Sequence, residues 1–283
     1  MFADDVQIYF EFENNSQIQQ LESCLKDIKT WASKNFLKLN DEKTKFLAVT
    51  RKNSSLSSCS NLFNKFTFET KVKNLGFILD NKLDFNGQIN KVCQVGFYSL
   101  RNLWKISSKI NDVSLKIQLV QSLILTHIDY CNFLYVGLPN NQIKKLQRLM
   151  NASIRFIFNL RMYDEYSITV YMQKCQFLPV KARVDFKICL LVYKSLNGFS
   201  PSYLTELITP KHSLESLRVY QDKFLLQEPS PDINNHKNRR FSIAAPKIWN
   251  KLPLDIRQCD SLNTFKSKLK THLFSVYFNE QED

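Results

Sequence analysis

Glycine is scarce in this 283-residue chain: five occur, and no two lie closer than the nine positions that separate Gly87 from Gly96. Walker-type phosphate loops and dinucleotide-binding turns need clustered glycines, so the sequence excludes both kinds of nucleotide site. The seven cysteines contain no C-x-x-C pair, which argues against a zinc knuckle or ribbon. Their odd number and wide spread instead predict buried free thiols in a reducing compartment.

The sequence also lacks the pattern of a secretion signal or a membrane span. Asp4 and Asp5 occupy the place of a basic n-region. The most apolar run, residues 123–138, is interrupted by His127, Asp129 and Asn132, which is typical of a core helix. With 44% hydrophobic and 23% charged residues, the chain can bury a core. We therefore expect an intracellular, soluble protein without a membrane partner.

Positive charge is concentrated in the middle of the chain. Lys and Arg number 39 against 26 Asp and Glu, a net charge of +13; residues 1–50 carry −2, residues 51–200 carry +13 and residues 201–283 carry +2. This surplus indicates a polyanionic partner, such as nucleic acid or an anionic membrane, or else a solvated lysine-rich surface. Because Lys greatly outnumbers Arg, any nucleic-acid contact is expected to be with phosphates and weakly sequence-selective.

Hydrophobic periodicity predicts a small α+β region followed by helices. Alternation predicts a β-hairpin over 1–12 and strands at 44–50, 66–68 and 72–79. A capping box at Ser16 opens a helix that reaches about Phe36. From about Phe85 the period lengthens to nearly four. Further helices are then predicted around 89–104, 113–134, 143–157, 164–175, 179–197 and from 261, with an irregular connection at about 209–240.

The adjacent carboxylates Asp4 and Asp5 are the candidates for chemistry. Neighbours on a flat strand point to opposite faces, so both carboxylates reach one site only at a tight hairpin bend. Such oxygen ligands suit Mg²⁺, and a pair of these ions can activate an attacking hydroxyl and stabilise the leaving oxygen in phosphoryl transfer. The alternative is a solvated turn in which an Asp accepts backbone N–H groups.

The surroundings of this acidic pair resemble a known family. Phe-Ala-Asp-Asp at 2–5, followed by Val-Gln-Ile-Tyr, is similar to the hairpin of reverse transcriptases from non-LTR (LINE-type, jockey-like) retrotransposons. Residues 31–40 with Lys43 and Thr44, and then residues 72–80, resemble that family's next two motifs in order and spacing. Residues 177–180, 193–198 and 245–253 are similar to its helical tail, so the resemblance covers nearly the whole chain.

The resemblance implies a fold and a set of roles. Residues 1–84 would be a partial polymerase palm, 85–160 a helical thumb, and 161–283 a C-terminal helical extension. Asp4 and Asp5 would bind the catalytic Mg²⁺, Lys43 would lie near the phosphates of the incoming nucleotide, and Leu75 and Gly76 would touch the primer end. Without the resemblance, we would interpret Lys43 as a surface lysine and the Leu75–Gly76 pair as an ordinary β-bulge.

Two rows of cations fall on the predicted thumb helices. In the implied fold they would contact the phosphates of a template–primer duplex; alternatively they only keep amphipathic helices soluble. The first row is Arg101, Lys105 and Lys109 at i, i+4 and i+8, extended backwards by Tyr98 and Gln94, and the second is Lys144, Arg148 and Arg155.

Two functions remain as alternatives. The first is a fragment of an RNA-directed DNA polymerase that performs two-metal nucleotidyl transfer on an RNA template and DNA primer. It would work together with missing N-terminal polymerase and endonuclease parts, in the nucleus when it acts with the complete element. The second is a non-catalytic basic helical module that binds nucleic acid or a protein partner. Whether the chain alone is an enzyme stays open.

Residues 1–283 by themselves are expected to show no templated DNA synthesis. In the family, a further metal-binding Asp, part of the nucleotide pocket and the fingers precede the aromatic-A-D-D hairpin, and no residue of this chain can be assigned to them. Loss of a metal-bridging carboxylate removes both positioning and electrostatic stabilisation. The measurement is primer extension on an RNA template with Mg²⁺ or Mn²⁺. Robust incorporation that Asp4→Asn abolishes would contradict the expectation.

Overall fold

The computed structural model describes residues 6–11, 18–49, 68–161, 167–211, 224–230 and 237–279. Within them the chain combines a two-stranded antiparallel sheet with a majority of helices, which confirms the expected α+β class. The chain divides into two compact units, Met1–Gln88 and Ile89–Asp283. The domain limits expected at 84 and 160 stay predictions.

The first unit contains a helix and a β-hairpin. Helix α1 (Ile18–Lys34) confirms the helix predicted up to about Phe36. Strands β1 (Lys71–Asn74) and β2 (Phe77–Asp80) pair antiparallel, with Lys71 opposite Asp80 and Asn74 opposite Phe77.

The single strand predicted over 72–79 is therefore wrong, because the chain reverses in its middle. Leu75 and Gly76 form the two-residue turn, with φ angles of 46° and 88°. Positive φ at both central residues is the type I′ geometry, whose twist matches that of paired strands. Alternation of side chains continues through so short a turn, so periodicity alone does not reveal the reversal.

Two other strand predictions are also wrong where the structure describes them. Residues 6–11 form no regular element, and Tyr9 is 83% exposed. Residues 44–49 contribute one isolated bridge, in which Phe46 pairs parallel with Phe68. Alternating residues become a strand only when a neighbouring strand completes the hydrogen bonds. The predicted hairpin bend at Asp4 and Asp5 and the capping box at Ser16 lie outside the described residues.

Asp80 forms the junction between β2 and helix α2 (Asn86–Lys105). Its side chain is nearly buried and accepts hydrogen bonds from the backbone N–H groups of Lys82 at 3.1 Å, Asp84 at 3.0 Å and Phe85 at 2.7 Å. A buried carboxylate requires such donors, since it has lost its water. These three bonds fix the path by which the chain enters α2.

The second unit is helical in its described parts. The long helices predicted around 143–157, 179–197 and from 261 are confirmed, and the short helices α8, α9 and α10 add to the predicted set. In chain order, the helices after α2 are α3 (Val113–Val120), α4 (Thr126–Asp129), α5 (Asn140–Phe158), α6 (Ile168–Lys174), α7 (Val180–Leu196), α8 (Ser202–Thr205), α9 (Phe241–Trp249), α10 (Leu254–Arg257) and α11 (Leu262–Asn279). None of the described helices is long and apolar enough to cross a membrane.

The uninterrupted helix predicted over 113–134 is wrong. Between α3 and α4 the chain forms a π-helical turn, Gln121–Leu125, and the helix ends at Asp129. Cys131 then takes a φ of 54°, and a 3₁₀ turn follows over Asn132–Tyr135. The apolar run at residues 123–138 is therefore divided between a helix that ends at Asp129 and a separate 3₁₀ turn.

The π-helical turn keeps the buried residues of this segment on one side. Lys116, Val120, Ile124 and Ile128 are all buried and follow one another at intervals of four. In an α-helix each step of four residues overshoots a full turn by about 40°. A π turn holds more residues, so it cancels part of this drift and keeps the row facing the core.

Helix α7 lies at the centre of the second unit. It packs on α4, α5, α8, α9 and α11. Its Tyr193 ring stacks on Phe265 of α11 with ring centroids 4.3 Å apart, and the Tyr193 hydroxyl donates to the Cys259 carbonyl oxygen at 2.9 Å. The fully buried Trp249 of α9 completes this aromatic cluster, 5.8 Å from Phe265.

The connection expected at about 209–240 is described in part. Pro210 and Leu226 form an isolated antiparallel bridge. A 3₁₀ turn at Lys237–Arg239 then leads into α9. The described residues therefore agree with a connection that contains little regular structure.

We expect the same substitution at two glycines of α2 to have opposite effects on stability. A Cβ atom at Gly96 would lie 2.3 Å from Cδ2 of the buried Leu149, whereas one at Gly87 would make an ordinary contact of 3.5 Å with Ile78. Overpacking costs about 1–3 kcal/mol, more than the gain of about 0.5–1 kcal/mol from replacing a helical glycine. Gly96→Ala should therefore lower the free energy of unfolding, and Gly87→Ala should raise it.

Urea unfolding followed by circular dichroism measures both glycine variants. Gly87→Ala is the matched control, because it makes the same change in the same helix. Equal stabilisation by the two substitutions would contradict this expectation. It would show that the Leu149 side chain moves away from the added methyl group without lowering the free energy of unfolding.

Candidate nucleic-acid interface

Helices α2 and α5 lie side by side and run in the same direction. Near their first turns, Lys145 Nζ donates to Asn90 Oδ1 at 3.0 Å. Near their last turns, the rings of Trp104 and Phe156 meet edge to face with centroids 5.4 Å apart. Between these contacts Gly96 faces Leu149, where a side chain on α2 would not fit. The glycine thus leaves room on α2 for the Leu149 side chain of α5.

The buried side of α2 differs from the predicted one. Ile89 and Leu100 are buried as expected, but Phe97 and Trp104 are 44% and 41% exposed. Because Gly96 forms the contact with α5, the larger aromatic side chains lie at its edge. The buried positions are Gln88, Ile89, Val92, Gly96, Leu100 and Leu103.

The outer side of α2 carries most of the first predicted row. Arg101 and Lys105 are exposed there, together with Gln94 and Tyr98. The prediction that Lys109 continues this helical row is wrong, because α2 ends at Lys105. Lys109 is exposed but belongs to a separate 3₁₀ turn, Ser107–Lys109.

The second predicted row lies on the outer side of α5. Lys144 and Arg148 are exposed and Arg155 is half-buried. All three lie opposite the side that buries Leu146 and Met150. We call the exposed residues Gln94, Tyr98, Arg101 and Lys105 of α2, together with Lys144, Arg148 and Arg155 of α5, the basic face.

Both rows point to the same side of the helix pair. Successive residues of a helix turn by about 100°. When the two parallel helices are joined at Gly96–Leu149 and Trp104–Phe156, this rotation directs both buried sides toward the core and both rows away from it. The basic face is therefore one surface.

The positive charge of the basic face is not compensated by nearby carboxylates. Residues 85–160 contain nine Lys and Arg but two acidic residues, Asp112 and Asp129. Asp112 caps α3 by accepting the Ser114 N–H at 2.8 Å, and Asp129 pairs with Arg183. Within the part of the chain that the structure describes, no carboxylate forms an ion pair with a cation of the basic face.

Sequence reasoning missed one cation beside the basic face. Lys91 is exposed on α2, seven residues before Tyr98, and therefore lies close to the same side of the helix. The i, i+7 spacing was a signal that could have identified it. Lys145, in contrast, lies at the contact between the helices, where it bonds Asn90.

The remaining predicted site residues belong to the first unit, Met1–Gln88. Asp4 and Asp5 are outside the described residues. Lys43 is exposed in a turn in which its N–H donates to Asn40 Oδ1 at 3.1 Å, and Leu75 and Gly76 form the tip of the β-hairpin. No cluster of three or more His, Cys, Asp or Glu residues among the described positions could hold a metal ion. The Mg²⁺ site that the resemblance implies thus stays a prediction.

A groove in the first unit has a different electrostatic character. It runs between α1 and residues 39–46 and is lined by side chains of both signs. Two ion pairs neutralise much of this charge: Lys29 with Asp41 at 2.9 Å, and Lys45 with Glu69 at 2.6 Å. The groove therefore does not share the uncompensated positive charge of the basic face.

Cysteines at described positions are free thiols, but the predicted burial holds for only two of them. Cys175 and Cys189 are buried, and the other described cysteines are half-buried. Cys93 lies on α2 near the contact with α5: burial raises the pKa of its thiol, and the ammonium group of Lys145 partly opposes this effect. Burial raises the pKa of Cys175 to about 11.

Comparison with models of known protein families, with curated proteins and with solved structures finds no match for this chain.

Alkylation of Cys93 should be slow at neutral pH and should accelerate as the pH rises. The thiolate is the reactive form, and a raised pKa keeps most of the thiol protonated. Lys145→Met removes a positive charge that favours the thiolate, so it should shift the rate profile to higher pH. Mass spectrometry after iodoacetamide treatment gives the rate for each cysteine. An unchanged profile in Lys145→Met would contradict the assigned electrostatic effect.

Proposed function

We propose that the paired helices α2 and α5 bind nucleic acid through its phosphates. The observation that carries the proposal is the basic face, on which two rows of unpaired cations share one side of a helix pair. Isolated surface cations are usually only solubilising, but here the two acidic residues of the region are engaged elsewhere. An uncompensated surface of this kind attracts polyanions and releases their counterions on binding.

The layout of the basic face, rather than its composition, favours backbone contacts. It carries three arginines and two lysines, and its two rows lie on the outer sides of two parallel helices, where they can meet the phosphates of a duplex. Phosphate contacts set the position of a duplex but carry no sequence information. We therefore infer binding to a duplex with little sequence preference.

We further propose that this surface belongs to a reverse transcriptase of the non-LTR retrotransposon type. The sequence motifs at 2–5, 31–44 and 72–80 support this proposal, and the helix pair follows them as a polymerase thumb would. Asp4 and Asp5 would then hold Mg²⁺, which supplies activation of the primer hydroxyl when bound. The duplex would be the hybrid of an RNA template and a DNA primer. A non-catalytic binding module would use the same basic face, so one binding experiment serves both proposals.

Neutralising the basic face should weaken duplex binding by a similar factor for every sequence. Counterion release makes the logarithm of affinity fall with that of salt concentration, at roughly 0.9 units for each phosphate neutralised on B-form DNA. Fewer cations should therefore also flatten the salt dependence. The measurement is fluorescence anisotropy over a salt series with two unrelated duplexes. The variant carries Arg101→Gln, Lys105→Gln, Arg148→Gln and Arg155→Gln.

A matched control separates the basic face from net charge. Four exposed lysines elsewhere can be replaced by Gln to give the same change in charge; they are Lys26, Lys34, Lys251 and Lys270. This control should bind nearly as the wild type does. Equal loss in both variants, or no binding by the wild type at low salt, would overturn the proposal.

A further inference from the structure

An exposed tyrosine lies within the basic face. The side chain of Tyr98 is 67% exposed on the outer side of α2. Gln94, Arg101 and Lys105 follow the same side at i−4, i+3 and i+7. At the described positions Tyr98 has no hydrogen-bond, ion-pair or ring partner, whereas the Trp104 ring is engaged by Phe156. The face of the Tyr98 ring is therefore available to a ligand.

Binding of phosphates alone gives no role to such a ring. An aromatic face among cations suits an unpaired nucleotide, since the base stacks on the ring while the cations bind the flanking phosphates. Bases inside a duplex are already stacked on their neighbours and do not reach a surface side chain. Unpaired bases at the end of a duplex meet both requirements.

We propose that Tyr98 stacks an unpaired base of a single-stranded extension, next to the duplex phosphates that Arg101 and Lys105 contact. This inference rests on the proposed binding of duplexes by the basic face, and it adds a preference for a junction between paired and unpaired strands. Stacking on a tyrosine ring tolerates any base, since every base offers a π face. The extension is therefore recognised without regard to its sequence.

The test compares a short blunt-ended duplex with the same duplex extended by a single-stranded thymidine tail. Wild-type protein should bind the tailed duplex about fivefold more tightly, as one stacked base contributes about 1 kcal/mol. Tyr98→Ala should lose this gain, so that it binds the tailed and the blunt duplex equally well. Tyr98→Phe should keep the gain, because it retains the ring.

The matched control is Tyr203→Ala on α8, because Tyr203 has a similar exposure of 64%. It should leave the preference for the tailed duplex unchanged. A preference that persists in Tyr98→Ala would overturn the stacking proposal and leave phosphate binding intact. Failure of the wild type to bind either duplex at low salt would instead overturn the proposed function, and the stacking proposal with it.

Discussion

Burial of α7 on more than half of its circumference is the constraint on which the second unit depends. The helix buries eight residues, so polar groups along it require partners within the protein. Arg183 pairs with Asp129 of α4, and Asp185 accepts a hydrogen bond from the Tyr277 hydroxyl of α11. Burial raises the pKa of Asp185, which this hydrogen bond and two lysines partly oppose. The polar bonds thus link α7 to α4 and α11.

Packing around one helix also determines what remains at the surface. Each helix around α7 directs its apolar side inward, and α5 additionally uses one flank against α2 at Gly96. The side left to solvent on this pair is the one rich in Lys and Arg. Because the cations of the basic face lie on helices, their backbone positions keep fixed spacings along each helix. Such preorganisation reduces the entropy that binding must offset.

The sequence predicts the strongly periodic helices and misses the features that depend on packing. α11 follows from its period and from Ser261, whose hydroxyl accepts the Thr264 N–H. The reversal at Leu75 stays hidden because a two-residue turn preserves alternation. The exposure of Arg101 and Arg148 follows from the amphipathic pattern of their helices. The end of α2 before Lys109 could not be predicted, because the sequence from Lys105 to Lys109 contains neither Gly nor Pro. The roles of Asp4 and Asp5 depend on the resemblance alone, since both lie outside the described residues.

The π-helical turn at Gln121–Leu125 has a consequence for changes in chain length. It holds more residues than an α-helical turn, so the chain has a spare position there. Deletion of one residue between Val120 and Ile124 would leave the buried positions spaced by four, three and four, which an uninterrupted α-helix places on one side. Elsewhere in a packed helix, a deletion turns every later side chain by about 100°. Deletion of one residue should therefore be tolerated at this turn and not in the helices beside it.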